Sequence, residues 1–164
     1  MKRLFFSLAW LLVSFSTFAQ MLEGTVVRVL DGDTYDVEVR GTKLRCRLIN
    51  VDAPEKDQFY GLNVKSYVEN ILYGKMCEVR LVATDYYKRH VVEIVVNGEP
   101  LDSLLISKGL AWRNPYFCTK EDLDWIELQA KQIGLGLWFC KNPTAPWIWR
   151  NYSRRQKRIV SQCL

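Results

Sequence analysis

Hydrophobic and polar residues alternate through much of the first hundred positions. Residues 22–30 (LEGTVVRVL) are β-branched and partly alternating, which predicts a strand, and Asp31-Gly32-Asp33 predicts a turn after it. Residues 34–40 (TYDVEVR) predict a second strand, turned at Gly41. Residues 43–51 predict a third: Leu44, Cys46 and Leu48 alternate against Lys43, Arg45 and Arg47, and Ile49 and Val51 continue the apolar character. Ala53-Pro54 stops this pattern. The period then changes. Over residues 61–73, Leu62, Tyr67, Val68, Ile71 and Leu72 follow helical spacing, with Gly74 as the stop. Residues 76–83 and 89–96 predict two more strands, the second closed by Asn97-Gly98. A short helix is predicted over residues 100–108, begun near Pro100 and closed by Gly109. A last helix is predicted to start at Thr119 as its N-cap, with Glu121 and Asp122 in the first turn. It places Leu123, Ile126, Ala130 and Ile133 on one face and ends at Gly134.

Three strands, a helix, two strands and two helices place the chain in the α+β class, mainly β. The order fits a five-stranded OB-type barrel with about three helices. At 164 residues, 49% hydrophobic and 25% charged, the chain suits one domain with its own core. No repeat of solenoid length is visible.

The first residues read as an address. Lys2 and Arg3 form a short basic region, residues 4–16 (LFFSLAWLLVSFS) an apolar one, and Thr17-Phe18-Ala19 a small-residue cleavage site. The apolar run is shorter than the ~20 residues a spanning helix needs. The expected organisation is therefore a signal peptide over residues 1–19, a barrel domain over 20–150 and a basic tail over 151–164. The mature protein is expected to be exported, periplasmic or extracellular, with no stable membrane insertion, and monomeric.

Export bears on the five cysteines, Cys46, Cys77, Cys118, Cys140 and Cys163, since an oxidising compartment permits disulfides. The preferred bridge is Cys118–Cys140, flanking the last predicted helix. Cys46–Cys77 would join two neighbouring strands, and Cys163 is left over. There is no Cys-x-x-Cys, and His90 is the single histidine, so a multi-histidine zinc site is excluded.

Charge is unevenly placed. Loss of the leader removes two basic residues and no acid, leaving 21 basic against 18 acidic residues, net +3. Residues 128–164 hold no acid and carry +7, and residues 20–127 carry −4. The stretch RNYSRRQKR suits a polyanion.

Candidate chemistry sits at strand ends, in Asp31-Gly32-Asp33-Thr34, in residues 47–55 (RLINVDAPE) and in residues 85–89 (DYYKR). If the first and third strands are neighbours, Asp33, Asp52 and Glu55 converge at one barrel end. A hard divalent cation takes carboxylate, carbonyl and water oxygens. Asp33, Asp52 and the Ala53 carbonyl supply such donors, leaving Glu55 to orient or deprotonate a water. Arg47 and Arg89 suit a phosphate held by two-pronged contacts. Taken singly, each of these segments also reads as an ordinary turn, loop or solvated strand face.

Three stretches, VVRVLDGDTYDV, RLINVDAPEKDQFYG and DYYKRHVVEIVVNGEPLDSLLISKGLAW, together resemble the staphylococcal nuclease (thermonuclease) family. GLGLWFC and PWIWR resemble the end of its exported bacterial members, so the likeness spans about residues 22–150. The resemblance implies an OB-fold barrel and a calcium-dependent endonuclease acting on DNA and RNA phosphodiesters to leave 3′-phosphates. By position it implies Asp33 and Asp52 as calcium carboxylates and Ala53, where the family often has threonine, as a carbonyl ligand. Asp31 matches an acid near the metal, Glu55 the general base, Arg47 and Arg89 the phosphate-binding arginines, and Tyr87 a tyrosine near the nucleotide phosphate. An oxygen-only site also admits manganese or magnesium. Tyr116 is a further stacking candidate at irregular spacing.

The chain departs from the family at Lys88, which replaces a glycine between Tyr87 and Arg89. A left-handed backbone there would strain lysine, whereas a reshaped loop would add its charge beside the substrate. Two other readings remain at this point. One is a non-catalytic OB-fold nucleic-acid-binding module using basic grooves and aromatics. The other is an envelope interaction protein using the Trp-rich end.

Overall fold

The alternating segments pair as a closed barrel. A computed structural model describes residues 21–118 and 120–160; the proposed signal peptide, the Thr119 cap and Cys163 lie outside the described residues. Strands β1 (Met21–Val29), β2 (Thr34–Val39) and β3 (Thr42–Leu48) form an antiparallel meander. After a two-residue strand β4 (Val51–Asp52) and helix α1 (Gly61–Leu72) come β5 (Met76–Thr84) and β6 (His90–Val96). β5 pairs antiparallel with both β1 and β6, and β6 pairs in parallel with β3. That last pairing, Cys46 opposite His90 through Leu48 opposite Val92, closes the five-stranded OB-fold barrel. β7 (Glu99–Pro100) extends the sheet at β6. Then follow α2 (Leu101–Ser107), β8 (Trp112–Arg113), α3 (Asp122–Gln132), a 3-10 turn (Gly136–Phe139), α4 (Pro146–Trp149) and α5 (Arg154–Val160). Among the described residues no helix is long and apolar enough to cross a membrane.

Period-two side chains fill the interior, as strand geometry requires. Val26, Tyr35, Val37, Cys46, Leu48, Val79, Val92 and Ile94 are buried in one cluster. Val64, Val68 and Leu72 bring one face of α1 onto it, and Leu101, Leu105, Ile106 and Leu123 add α2 and α3. Each such fully buried aliphatic side chain contributes ~1.5–3 kcal/mol. A smaller cluster of Trp112, Leu137 and Ala145 packs with Tyr60, Trp138 and Trp147.

Several expectations are corrected. The third strand stops at Leu48. The Ile49 N–H still reaches the Val92 carbonyl (3.1 Å), but Asn50 breaks the run, its amide donating to Asp102 (2.6 Å) in the interior. The chain then re-pairs as β4 against β8. Ile133 is exposed beyond the end of α3, so the helix buries only Leu123 and Ala130. One element that was not predicted is α5, which lies within the basic tail and does not contradict it. The Cys118–Cys140 bridge is absent: Cys118 is a free thiol directed at the Lys120 carbonyl (3.6 Å), and Cys140 is disulfide-bonded. Cys46 and Cys77 are also free. Their strands, β3 and β5, are not hydrogen-bonded neighbours, and both side chains face the barrel interior as small hydrophobes.

Candidate active site

One barrel end is organised around the β1–β2 turn. The Asp33 N–H donates to Asp31 Oδ1 (3.2 Å), and the Tyr35 hydroxyl donates to the Gly32 carbonyl (2.6 Å). A side chain at Gly32 would lie 2.6 Å from both Ala53 Cβ and Val64 Cγ1, so only glycine lets the turn settle on the β4 loop and α1. Burial, then the charges of Asp33 and Asp31, push the Tyr35 phenol well above its ordinary pKa. It therefore stays a protonated donor.

Asp33 is buried and accepts three hydrogen bonds, which leaves one lone pair of Oδ2 unused. Its Oδ1 accepts from the Thr34 hydroxyl (3.0 Å) and Arg47 Nη1 (3.0 Å), and its Oδ2 from the Ala53 N–H (2.8 Å). Burial raises its pKa, with Arg47 acting in the opposite direction. Arg47 stands opposite Thr34 in the β2–β3 ladder, which aims it at this end. Its Nη2 donates to Asp52 Oδ1 (2.8 Å), so one guanidinium spans the two carboxylates. Burial opposes its charge, but Asp33 and Asp52 outweigh that and raise its pKa. Asp52 is placed by β4, opposite Trp112 of β8.

Glu55 lies in the following loop, one-third exposed. The loop is tied down at its backbone: the Glu55 N–H donates to Gln58 Oε1 (3.1 Å), and the Gln58 N–H donates to the Glu55 carbonyl (2.9 Å). A Cβ at Gly61 would lie 1.9 Å from that same carbonyl oxygen, so α1 starts directly against the loop.

The opposite wall is the β5–β6 turn. Asp85 Oδ1 accepts the backbone N–H groups of Tyr87 and Arg89 (both 2.9 Å), and Oδ2 accepts Arg89 Nε (2.7 Å). Lys88 sits at φ 61°, in the left-handed region, with its N–H on the Asp85 carbonyl (3.0 Å). The strain anticipated at the glycine-replacing lysine is thus present, and Asp85 is what holds the turn despite it. Arg89 is 5.4 Å from the centre of the Tyr87 ring.

These walls enclose a cleft of about 720 Å³. Asp31, Arg47, Asp52, Glu55, Tyr87 and Arg89 line it; Asp33 and Ala53 lie beneath, and Lys88 is exposed outside the lining. His90 begins β6 and is not among the lining residues. Tyr86 and Tyr87 on one side and Tyr116 and Phe117 on the other are strongly exposed rings. Asn114 Oδ1 fixes the second pair by accepting the N–H groups of Tyr116 (3.0 Å) and Phe117 (3.3 Å).

Among the described residues no group of three or more His, Cys, Asp or Glu side chains is placed to hold a metal. The donors that remain are the two carboxylates bridged by Arg47 and the Ala53 carbonyl. They are hard oxygen donors, of the kind calcium or magnesium accepts and soft metals do not.

Residues 45–140 match the family described as staphylococcal nuclease homologue. The chain is 35% identical over 131 residues to an uncharacterized endonuclease of Escherichia coli, covering 79% of this chain and 86% of the relative. The chain belongs to the staphylococcal nuclease family. A second member, a micrococcal nuclease of Shigella flexneri, is 30% identical over 155 residues, 88% of each chain. A staphylococcal-like nuclease of Arabidopsis thaliana is 34% identical over 117 residues, 71% of this chain and 36% of that one.

In this family member the sequence pattern assigns no role to two charged residues of the cleft, Asp85 and Arg150. Asp85 has the look of an ordinary turn acid; its spacing to Arg89 is the available signal. Arg150 closes the PWIWR stretch and opens RNYSRRQKR, which gives it a charge but no role in the site. Its Nη2 and Nη1 donate to Asp52 Oδ1 (2.5 Å) and Oδ2 (3.0 Å), and its Nε donates to Glu55 Oε1 (2.7 Å). Burial works against its charge, but Asp52 and Glu55 more than compensate and push its pKa upward. No local pattern around residue 150 points to a contact with residues 52 and 55.

Proposed function

We propose that this protein is a calcium-dependent endonuclease that hydrolyses phosphodiester bonds of DNA or RNA and leaves 3′-phosphates. The observation that carries the reading is Arg47 bridging Asp33 and Asp52 on one wall of the cleft, with Arg89 on the other, in a member of the staphylococcal nuclease family. Asp33, Asp52 and the Ala53 carbonyl are the residues that would hold the cation, with Asp31 beside them; manganese or magnesium could substitute. When bound, calcium supplies positive charge against the phosphate oxygens.

The chain's own residues do the rest. Glu55, partly solvated at the cleft, orients the attacking water and takes its proton. Arg47 and Arg89 approach the phosphate from opposite walls and stabilise the negative charge that builds on its oxygens. Asp85 fixes the Arg89 guanidinium in advance, so that less order is lost on binding. The four exposed rings at the cleft give bases a stacking surface without sequence preference. Tyr87 sits beside the phosphate arginine, and Lys88, outside the cleft, adds charge to the approach. The leader-like first nineteen residues support export.

Asp52→Asn tests the assignment. Calcium-dependent cleavage should fall at least as far as for loss of a general base, ~10²-fold or more. Unchanged cleavage would remove Asp52 from the site. Nucleic acid bound but never cut by wild-type protein would favour the binding-module reading.

A further inference from the structure

Arg150 closes the PWIWR stretch, ten positions beyond the 45–140 match, and enters the centre of the site. Its position is built, not casual. It follows directly on α4, a single turn begun at Pro146, in which Trp149 is buried. Trp149 Nε1 donates to Asp57 Oδ1 (2.9 Å), and Lys157 of α5 pairs with Asp57 Oδ2 (3.0 Å) while lying 5.0 Å from the centre of the Trp149 ring. Gln58 reaches the Thr144 carbonyl from the same loop. The C-terminal segment is thereby fastened to the loop that carries Glu55, and Arg150 is delivered to the cleft with its side chain still 40% exposed.

Its three contacts conflict with cation binding. Asp52 Oδ1 already accepts from Arg47, and Arg150 takes both Asp52 oxygens and one of Glu55. Arg47 and Arg150 leave one lone pair on Asp52, so a divalent cation there competes with Arg150 for the carboxylate and repels its charge. A phosphate in the same cleft offers the guanidinium fork an equivalent two-oxygen partner. We propose that Arg150 is a third phosphate-binding arginine of this site, held on Asp52 and Glu55 until a divalent cation takes Asp52 and substrate phosphate takes Arg150. This inference rests on the nuclease reading above. It makes the C-terminal segment a contributor to the site and predicts that cation and nucleotide bind with mutual assistance.

The test is calorimetry on the full chain. Calcium is titrated without nucleotide, then a nucleoside 5′-phosphate, which has no diester to cleave, is titrated in saturating calcium. Arg150→Gln should bind calcium about tenfold tighter, since it no longer competes, and the nucleotide about tenfold more weakly, as expected for losing a charge-assisted contact. These opposite signs separate the proposal from a structural brace, whose loss weakens both. Calcium affinity unchanged or reduced in Arg150→Gln, or nucleotide affinity unchanged, would overturn it. Should that variant fail to fold, Arg150→Lys decides. It keeps the charge but not the fork, so nucleotide binding should fall, and undiminished binding refutes the proposal. Wild-type protein that binds calcium no better than Asp52→Asn would overturn the cation site itself, and the exchange with it.

Discussion

Asp85→Ala should cost this protein both stability and activity, and the two losses are separable. Asp85 accepts two backbone N–H groups, closing the turn like a helix cap, and pairs with Arg89; the two side chains are 20% and 24% exposed. A cap is worth ~1 kcal/mol and an ion pair still within reach of solvent at most about 1, which sets the loss at about 2 kcal/mol. For a chain of this size that lowers the unfolding midpoint by ~4–8 °C. Lys88 at φ 61° makes the turn dependent on Asp85, because the left-handed region costs a non-glycine residue ~1–2 kcal/mol. Arg89, no longer held, should leave cleavage ~10–100-fold slower. Asp85→Asn keeps the Oδ1 acceptor and should lose about half the stability but most of the activity, whereas Lys88→Gly in the Asp85→Ala background should recover stability. Burial alone would raise the Asp85 pKa, but the hydrogen bonds and charge of Arg89 outweigh it and hold the carboxyl low. Its contribution is therefore complete above the unfolded value near ~4 and fades as pH falls through the lower folded value. Thermal melts of wild type and Asp85→Ala from pH 7 to 2, with cleavage rates at pH 7, test this. A variant melting within about 1 °C of wild type with full activity would refute the turn argument.

Gly61→Ala drives a Cβ into the Glu55 carbonyl, so the loop must shift; it should destabilise by about 1–3 kcal/mol in urea unfolding and slow cleavage more than nucleotide binding. Burial pushes the Cys46 thiol up to about 12 and the Cys77 thiol up to about 11. Both should resist iodoacetamide at mildly alkaline pH in the folded protein while Cys118 reacts, as peptide mass mapping will show. The same map of unreduced protein should contain no Cys118–Cys140 link.

The barrel was legible because strand alternation and core burial are the same fact seen twice: Val26, Tyr35, Val37, Cys46 and Leu48 are apolar because they point inward. Asp33, Arg47 and Asp52 do meet at one barrel end, but not because the first and third strands are neighbours: β2 lies between those strands, and the β1–β2 turn with the β2–β3 register brings the three residues together over short separations in sequence. What was missed depends on distant pairings. Arg150 meets Asp52 across ninety-eight positions, and a single arginine in a basic segment carries no periodic signal. The cysteine pairing failed for the same reason, since spacing along the chain does not fix which thiols meet in space. The break at Asn50 was hidden by apolar residues on both sides; its amide finds Asp102 only once α2 has packed onto the barrel, which no local pattern announces.

The most direct measurement is cleavage of single- and double-stranded DNA by the purified protein, with calcium and with chelator, beside Glu55→Gln. The account predicts digestion with calcium, none with chelator, and a ~10²–10⁴-fold slower rate in Glu55→Gln. Digestion indifferent to chelator, or undiminished in Glu55→Gln, would contradict it.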